Sequence, residues 1–135
     1  MFARIDHIGV AVDDLDAAIA LHEQTYAMTL AHRETVTEQG VEAVLFDVGE
    51  NHVELLAPLS EDTPVGKFLA KQGAGMHHLA FEVADVGVEL ARLAAAGTEL
   101  VDERPRRGLL GREVAFLHPH ATGGVLAELV GRGRP

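Results

Sequence analysis

The chain repeats itself. Residues 7–21, HIGVAVDDLDAAIAL, set above residues 78–92, HLAFEVADVGVELAR, match His7 with His78, Val12 with Val83, Asp14 with Asp85 and Ala20 with Ala91, all 71 positions apart. Further on, HVELL set above LAELV matches Glu54 with Glu128 at a separation of 74, so a slightly longer loop is expected in the second half. A recurring pattern of this length marks one supersecondary unit used twice, because neither copy can cover its apolar face alone. With 135 residues in all, the two copies are expected to form a single domain over 1–135.

Each copy reads the same way. Alternating character in ARIDHIGVAV predicts a strand over about residues 3–12. The aspartates of DDLDAAIALHEQTY then cap a helix whose Leu15, Ala18, Ile19, His22 and Tyr26 share one face. Three strands follow, MTLAHRETV, VEAVLFDVG and HVELLAP, divided by Gly40 and by a turn at residues 49–51. This βαβββ module covers about residues 3–58. Residues 59–75 form a connector with a short helix, PVGKFLAKQ, framed by Thr63, Pro64 and Gly73. From about 76 to 131 the pattern restarts: strand MHHLAFEVAD, helix VGVELARLAAAG, and strands TELVDE, REVAFLHP and GGVLAELV. The class is α+β, built from two tandem βαβββ modules.

Charge narrows the partners. A formal net charge of -10 argues against nucleic acid and against anionic membrane surfaces, both of which need a dominant basic face. No stretch approaches the roughly 18 uninterrupted apolar residues of a membrane span. Cysteine is absent and MFARIDHIGVAV lacks the pattern of a secretory signal, so the cytoplasm is the expected compartment. Against this acidic background RPRRGLLGR gathers Arg104, Arg106, Arg107 and Arg112. That segment is either a solvated loop or a site for a phosphorylated ligand.

The repeat also singles out chemistry. A lone histidine on a strand is ordinarily a partly buried, hydrogen-bonded side chain. Here two equivalent positions carry His (His7, His78) and two carry Glu (Glu54, Glu128), on strands otherwise filled with Val, Leu, Ile and Ala. Burying unpaired carboxylates among such residues costs several kcal/mol each, a cost that a metal ion removes. Two imidazoles and two carboxylates suit a divalent transition metal. In MHHLAFEV the alignment selects His78 over His77, since neighbouring strand side chains point to opposite faces. His22 and His32 have no partner in the repeat, His52 lies two residues before Glu54, and His118 and His120 flank Pro119 in a turn. All five are expected to be structural or surface histidines.

The segments DHIGVAV, HHLAFEV, ELLAP and AELV resemble those of the vicinal oxygen chelate superfamily, which includes glyoxalases, bleomycin resistance proteins and dioxygenases. Within it, VELLAPLSEDTPVGKFLAKQGAGMHHLAFEV and FLHPHATGGVLAELV are similar to the methylmalonyl-CoA epimerase family. The resemblance implies a vicinal oxygen chelate fold with a metal site between curved sheets, its ligands being His7, Glu54, His78 and Glu128. Glu54 stands where some members have glutamine. The family's acid/base glutamate falls on Glu38; the residues alone leave Glu34 and Glu42 equally available. Glu128 is the candidate for the second acid/base. The implied activity is epimerisation of (2R)- and (2S)-methylmalonyl-CoA by α-proton abstraction and return through a metal-chelated enediolate. The metal would be Co²⁺, with Mn²⁺, Ni²⁺ or Zn²⁺ compatible with the same ligands. An acyl-CoA would be the partner, its phosphates met by Arg104, Arg106, Arg107 and Arg112, and a homodimer is expected by analogy. The alternatives are a glyoxalase I-type lactoylglutathione lyase with the same metal set and a metal-free, drug-sequestering resistance protein. An extradiol dioxygenase, using iron with two His and one Glu, fits less well because Glu54 is then superfluous.

Overall fold

The computed structural model describes residues 2–132. Strands β1 (Phe2–Ala11), β2 (Thr29–Val36), β3 (Val41–Val48) and β4 (Asn51–Pro58) accompany helix α1 (Leu15–Tyr26). Helix α2 (Pro64–Gln72) connects them in sequence to β5 (Gly75–Val83), α3 (Val86–Ala95), β6 (Arg106–Arg107), β7 (Glu113–Leu117) and β8 (Ala127–Gly131). The βαβββ order therefore occurs twice. The chain divides into two compact units, one of residues His7–His77 and one of the residues up to Asp6 together with those from His78 onward. No described helix is long and apolar enough to cross a membrane.

The two units use the same pairing. In His7–His77, β1 runs parallel to β4, and β4, β3 and β2 follow antiparallel. In the other, β5 runs parallel to β8, and β8, β7 and β6 follow antiparallel. The order β1-β4-β3-β2 thus recurs as β5-β8-β7-β6. A parallel pair needs a crossover, and in both modules a helix and two strands supply it.

The same residues start both helices. Asp14 caps α1 by accepting the Ala17 N–H at 3.1 Å, and Asp85 caps α3 by accepting the Val88 N–H at 3.0 Å. The first helical residue then plugs the core in each: Leu15 with Val12, Val44, Phe46 and Leu55, and Val86 with Val83, Leu90, Leu117 and Leu129. These clusters occupy one face of each sheet, because the alternate residues of a strand share a face. The opposite faces are left for the recurring His and Glu of the repeat.

Two expectations are corrected. TELVDE, residues 98–103, is not a strand. It makes an isolated bridge, Leu100 to Leu117, and regular pairing with β7 is taken up at Arg106–Arg107 instead. The cause is local: the N–H groups of Val101 and Asp102 both donate to the Phe116 carbonyl, while the Asp102 carboxylate accepts the Phe116 N–H at 2.9 Å. Two residues oppose one, as in a β-bulge, and the ladder stops. Tyr26, expected on the buried face of α1, is 60% exposed, whereas His22 of that face stacks on Phe46 at 5.7 Å and bonds the Ala18 carbonyl at 2.8 Å.

Candidate functional site

In the His7–His77 unit, His7 sits on β1 and Glu54 on β4, where the parallel register sets Gly9 opposite Glu54. His7 therefore reaches Glu54 from two positions earlier on the neighbouring strand, on the face turned away from α1. His7 Nε2 and Glu54 Oε1 stand 3.4 Å apart, and both residues are buried, 6% and 4% exposed.

The second unit builds the same pair. Ala80 lies opposite Glu128 in the β5–β8 register, so His78 again approaches from two positions earlier. His78 Nε2 and Glu128 Oε1 are also 3.4 Å apart, with both residues buried. Phe116, paired with Glu128 across β7 and β8, meets the His78 ring edge-on at 5.5 Å and walls this face with apolar surface.

The donor chemistry fits a divalent ion. An N···O distance of 3.4 Å exceeds the 2.7–3.2 Å or so of a well-formed N–H···O hydrogen bond. Two ligand atoms each about 2.1 Å from one tetrahedral ion stand about 3.4 Å apart. In each pair the imidazole and carboxylate are thus spaced as ligands rather than as a tight ion pair. His7, Glu54 and His78 are buried residues of the kind that could hold a metal ion, in a family that binds divalent metals.

The remaining sequence candidates fall in different places. His77 lies on the other face of β5 and packs against α2, its ring 4.9 Å from Phe68 in a T-shaped contact. Glu38 is exposed in a 3-10 turn, Thr37–Gln39, in the β2–β3 hairpin. That hairpin begins at Val41, four pairs from the Leu45–Glu54 level, about 13 Å along the sheet. Glu42 turns to the α1 face, where Arg33 bridges it at 2.7 Å to Asp16 at 2.9 Å. Glu34 turns the other way: it pairs with Ala43, which shares the face of Leu45 and Glu54, and its carboxylate meets His32 Nε2 at 2.8 Å. Nothing in the sequence order distinguishes these three glutamates, but strand parity does.

The four arginines also separate. Arg106 pairs with Val114 on the same face of β7 as Phe116 and lies over the Phe116 ring at 5.9 Å, tethered to Asp102 at 3.0 Å. Arg107 points to the opposite face, and Arg104 is exposed. Arg112 is committed to a largely buried network: it donates to the Gly131 carbonyl at 2.8 Å and to Asp6 at 3.0 Å, with Glu82 at 3.9 Å. Asp6, 1% exposed, was missed as a candidate because a carboxylate beside His7 reads from sequence as an exposed alternate.

Known proteins resemble this chain over most of its length. A model of the glyoxalase/bleomycin resistance protein/dioxygenase superfamily matches residues 6–116. Mitochondrial methylmalonyl-CoA epimerase of Bos taurus is 37% identical over 127 residues, covering 93% of this chain and 73% of that protein. Ethylmalonyl-CoA/methylmalonyl-CoA epimerase of Cereibacter sphaeroides is 35% identical over 131 residues, 96% of this chain and 98% of that one. Among solved structures, a variant of Streptomyces coelicolor methylmalonyl-CoA epimerase in complex with 2-nitronate-propionyl-CoA matches with a TM-score of 0.95 at 41% identity, over 98% of this chain and 96% of that one. Methylmalonyl-CoA epimerase from Mycobacterium tuberculosis gives 0.94 at 38% identity, over 98% and 90%. With its paired βαβββ modules and its vicinal oxygen chelate fold, the chain belongs to the glyoxalase/bleomycin resistance protein/dioxygenase superfamily and, within it, to the methylmalonyl-CoA epimerase family.

Proposed function

We propose that this protein epimerises methylmalonyl-CoA, with His7, Glu54, His78 and Glu128 serving one divalent ion. The observation that carries the proposal is the twofold His–Glu construction, with identical register and identical 3.4 Å spacing in both units. The substrate class is supported by a relative solved with methylmalonyl-CoA and by another solved with 2-nitronate-propionyl-CoA. The ion is proposed to be Co²⁺; nitrogen and oxygen donors accept Mn²⁺, Ni²⁺ or Zn²⁺ as well. A cytoplasmic homodimer completes the proposal, the dimer by analogy with other paired-module proteins.

The reacting carbon of methylmalonyl-CoA lies between a thioester carbonyl and a carboxylate, both of which delocalise charge when its proton leaves. A bound divalent ion supplies Lewis acidity toward those oxygens, worth several kcal/mol. The chain supplies the proton transfers. Glu38 is proposed to take the α-proton and Glu128 to return one from the opposite face, or the reverse for the other epimer, which inverts the centre without any change of oxidation state. Phe116 keeps water from the Glu128 side of the site, as its edge-on contact with His78 supports. Arg106 is the proposed contact for the anionic parts of the acyl-CoA, together with Arg104 and Arg107; Arg112 belongs to this set only if it leaves its bonds to Asp6 and Gly131.

A second reading of the base is favoured by strand parity. Glu34 pairs with Ala43, two residues from the Leu45 that pairs with Glu54, and so shares the face of Glu54. Exchange of the substrate α-proton with solvent separates the two. Glu38→Gln is expected to keep metal and fold and to lose exchange, with Glu34→Gln unaffected; the opposite result moves the role to Glu34. For substrate binding, Arg106→Glu is expected to raise KM by about tenfold or more, the worth of one charge-assisted hydrogen bond, with little change in kcat. An unchanged KM would return this segment to the status of a solvated loop.

A further inference from the structure

The turn histidines of HPH, which sequence reading set aside, are brought against Glu99. We propose that Glu99, His118 and His120 form a second site for a divalent transition metal, on the surface and separate from the buried His–Glu pairs.

The backbone fixes this triad before any ion arrives. The Leu100–Leu117 bridge sets Glu99 beside His118, whose N–H donates to the Glu99 carbonyl at 3.1 Å. Pro119 then opens the 3-10 turn Pro119–Ala121, its fixed φ carrying His120 back over His118 with ring centroids 4.4 Å apart. Glu99 lies against both rings, Oε2 at 3.4 Å from His118 Nε2 and Oε1 at 3.6 Å from His120 Nδ1. One ligand atom from each of the three residues lies within 4.8 Å of the others.

That spacing is close to what one ion needs. The ligand atoms of a tetrahedral ion are about 3.4 Å apart, so the widest separation must shrink by at most about 1.4 Å, which long, exposed side chains allow. Glu99 is 56% exposed and His120 80% at their side chains, and they line a shallow cleft of about 350 Å³ with Ala96, Gly97, Thr98 and Ala121. The cleft leaves room for the water that fills the remaining coordination position. Two imidazoles and one carboxylate suit Zn²⁺, Ni²⁺ and Cu²⁺, with Cu²⁺ the tightest.

Binding has one identifiable cost. His118 Nδ1 accepts the His120 N–H at 3.1 Å, which leaves the neutral ring's proton on Nε2, facing Glu99. For Nε2 to bind an ion, that proton moves to Nδ1 and the bond from His120 is given up. The site is therefore a modest binder. Its effect is to tie Glu99 to the connection between β7 and β8, the strand that carries Glu128.

Equilibrium dialysis of the full chain against Zn²⁺ tests this, with His120→Lys and Glu99→Gln compared to the unmodified protein. Both substituted side chains are exposed, and unchanged circular dichroism confirms the fold. The unmodified protein is expected to bind one equivalent more than either variant, whether or not the buried residues also take an ion. Equal stoichiometry and affinity in all three proteins would overturn the proposal.

Discussion

Replacing His78 by alanine is expected to strip the protein of its metal and to lower kcat/KM for methylmalonyl-CoA by about a thousandfold, while His77→Ala keeps the metal and most of the activity. The two residues are neighbours of the same type, so hydrophobicity, charge and strand propensity change equally in both variants. What differs is the face. His78 is buried with its Nε2 3.4 Å from Glu128, whereas His77 lies against Phe68 of α2. A thousandfold corresponds to about 4 kcal/mol of transition-state stabilisation, within the range that a Lewis acid provides. Metal content is read on the purified proteins before any kinetics, which keeps loss of binding separate from loss of chemistry. Equal metal loss in the two variants would break the equivalence of the repeats.

Arg112→Met is expected to destabilise the fold by about 3 kcal/mol, lowering Tm by about 10 °C, and to leave KM unchanged. Asp6 is buried and takes its 3.0 Å bond from Arg112, so the substitution withdraws the guanidinium from a carboxylate that cannot reach water. Arg4, at 3.4 Å from the same oxygen, compensates in part. The Nε donor to the Gly131 carbonyl is lost as well. A raised KM with undiminished Tm would instead make Arg112 a ligand for the acyl-CoA. Thermal unfolding followed by circular dichroism, beside steady-state kinetics, distinguishes the two.

Much of this architecture is legible from the repeat. Asp14 and Asp85 cap equivalent helices, and His7, His78, Glu54 and Glu128 fall into equivalent pairs, because the periodicities that identify strands and helices also assign side chains to faces. What escaped was set by contacts between distant segments. The bulge at Val101 and Asp102 depends on a carboxylate capturing the Phe116 N–H, 14 residues away. The burial of Asp6 depends on Arg112, 106 residues away. The three glutamates Glu34, Glu38 and Glu42 illustrate a third limit. Their faces depend on where the β2–β3 hairpin turns, and a shift of one residue in that register exchanges inside for outside.

Whether a buried His–Glu metal site activates the α-proton of an acyl-CoA is decided by incubating (2R)- or (2S)-methylmalonyl-CoA with the protein in deuterated water. The protein is first freed of metal and then reloaded with Co²⁺. Deuterium at the α-carbon and interconversion of the two epimers are expected in the reloaded protein, and neither in the metal-free protein or in His78→Ala. Turnover of a glutathione hemithioacetal with no exchange on the thioester, or exchange that proceeds equally well without metal, would contradict it.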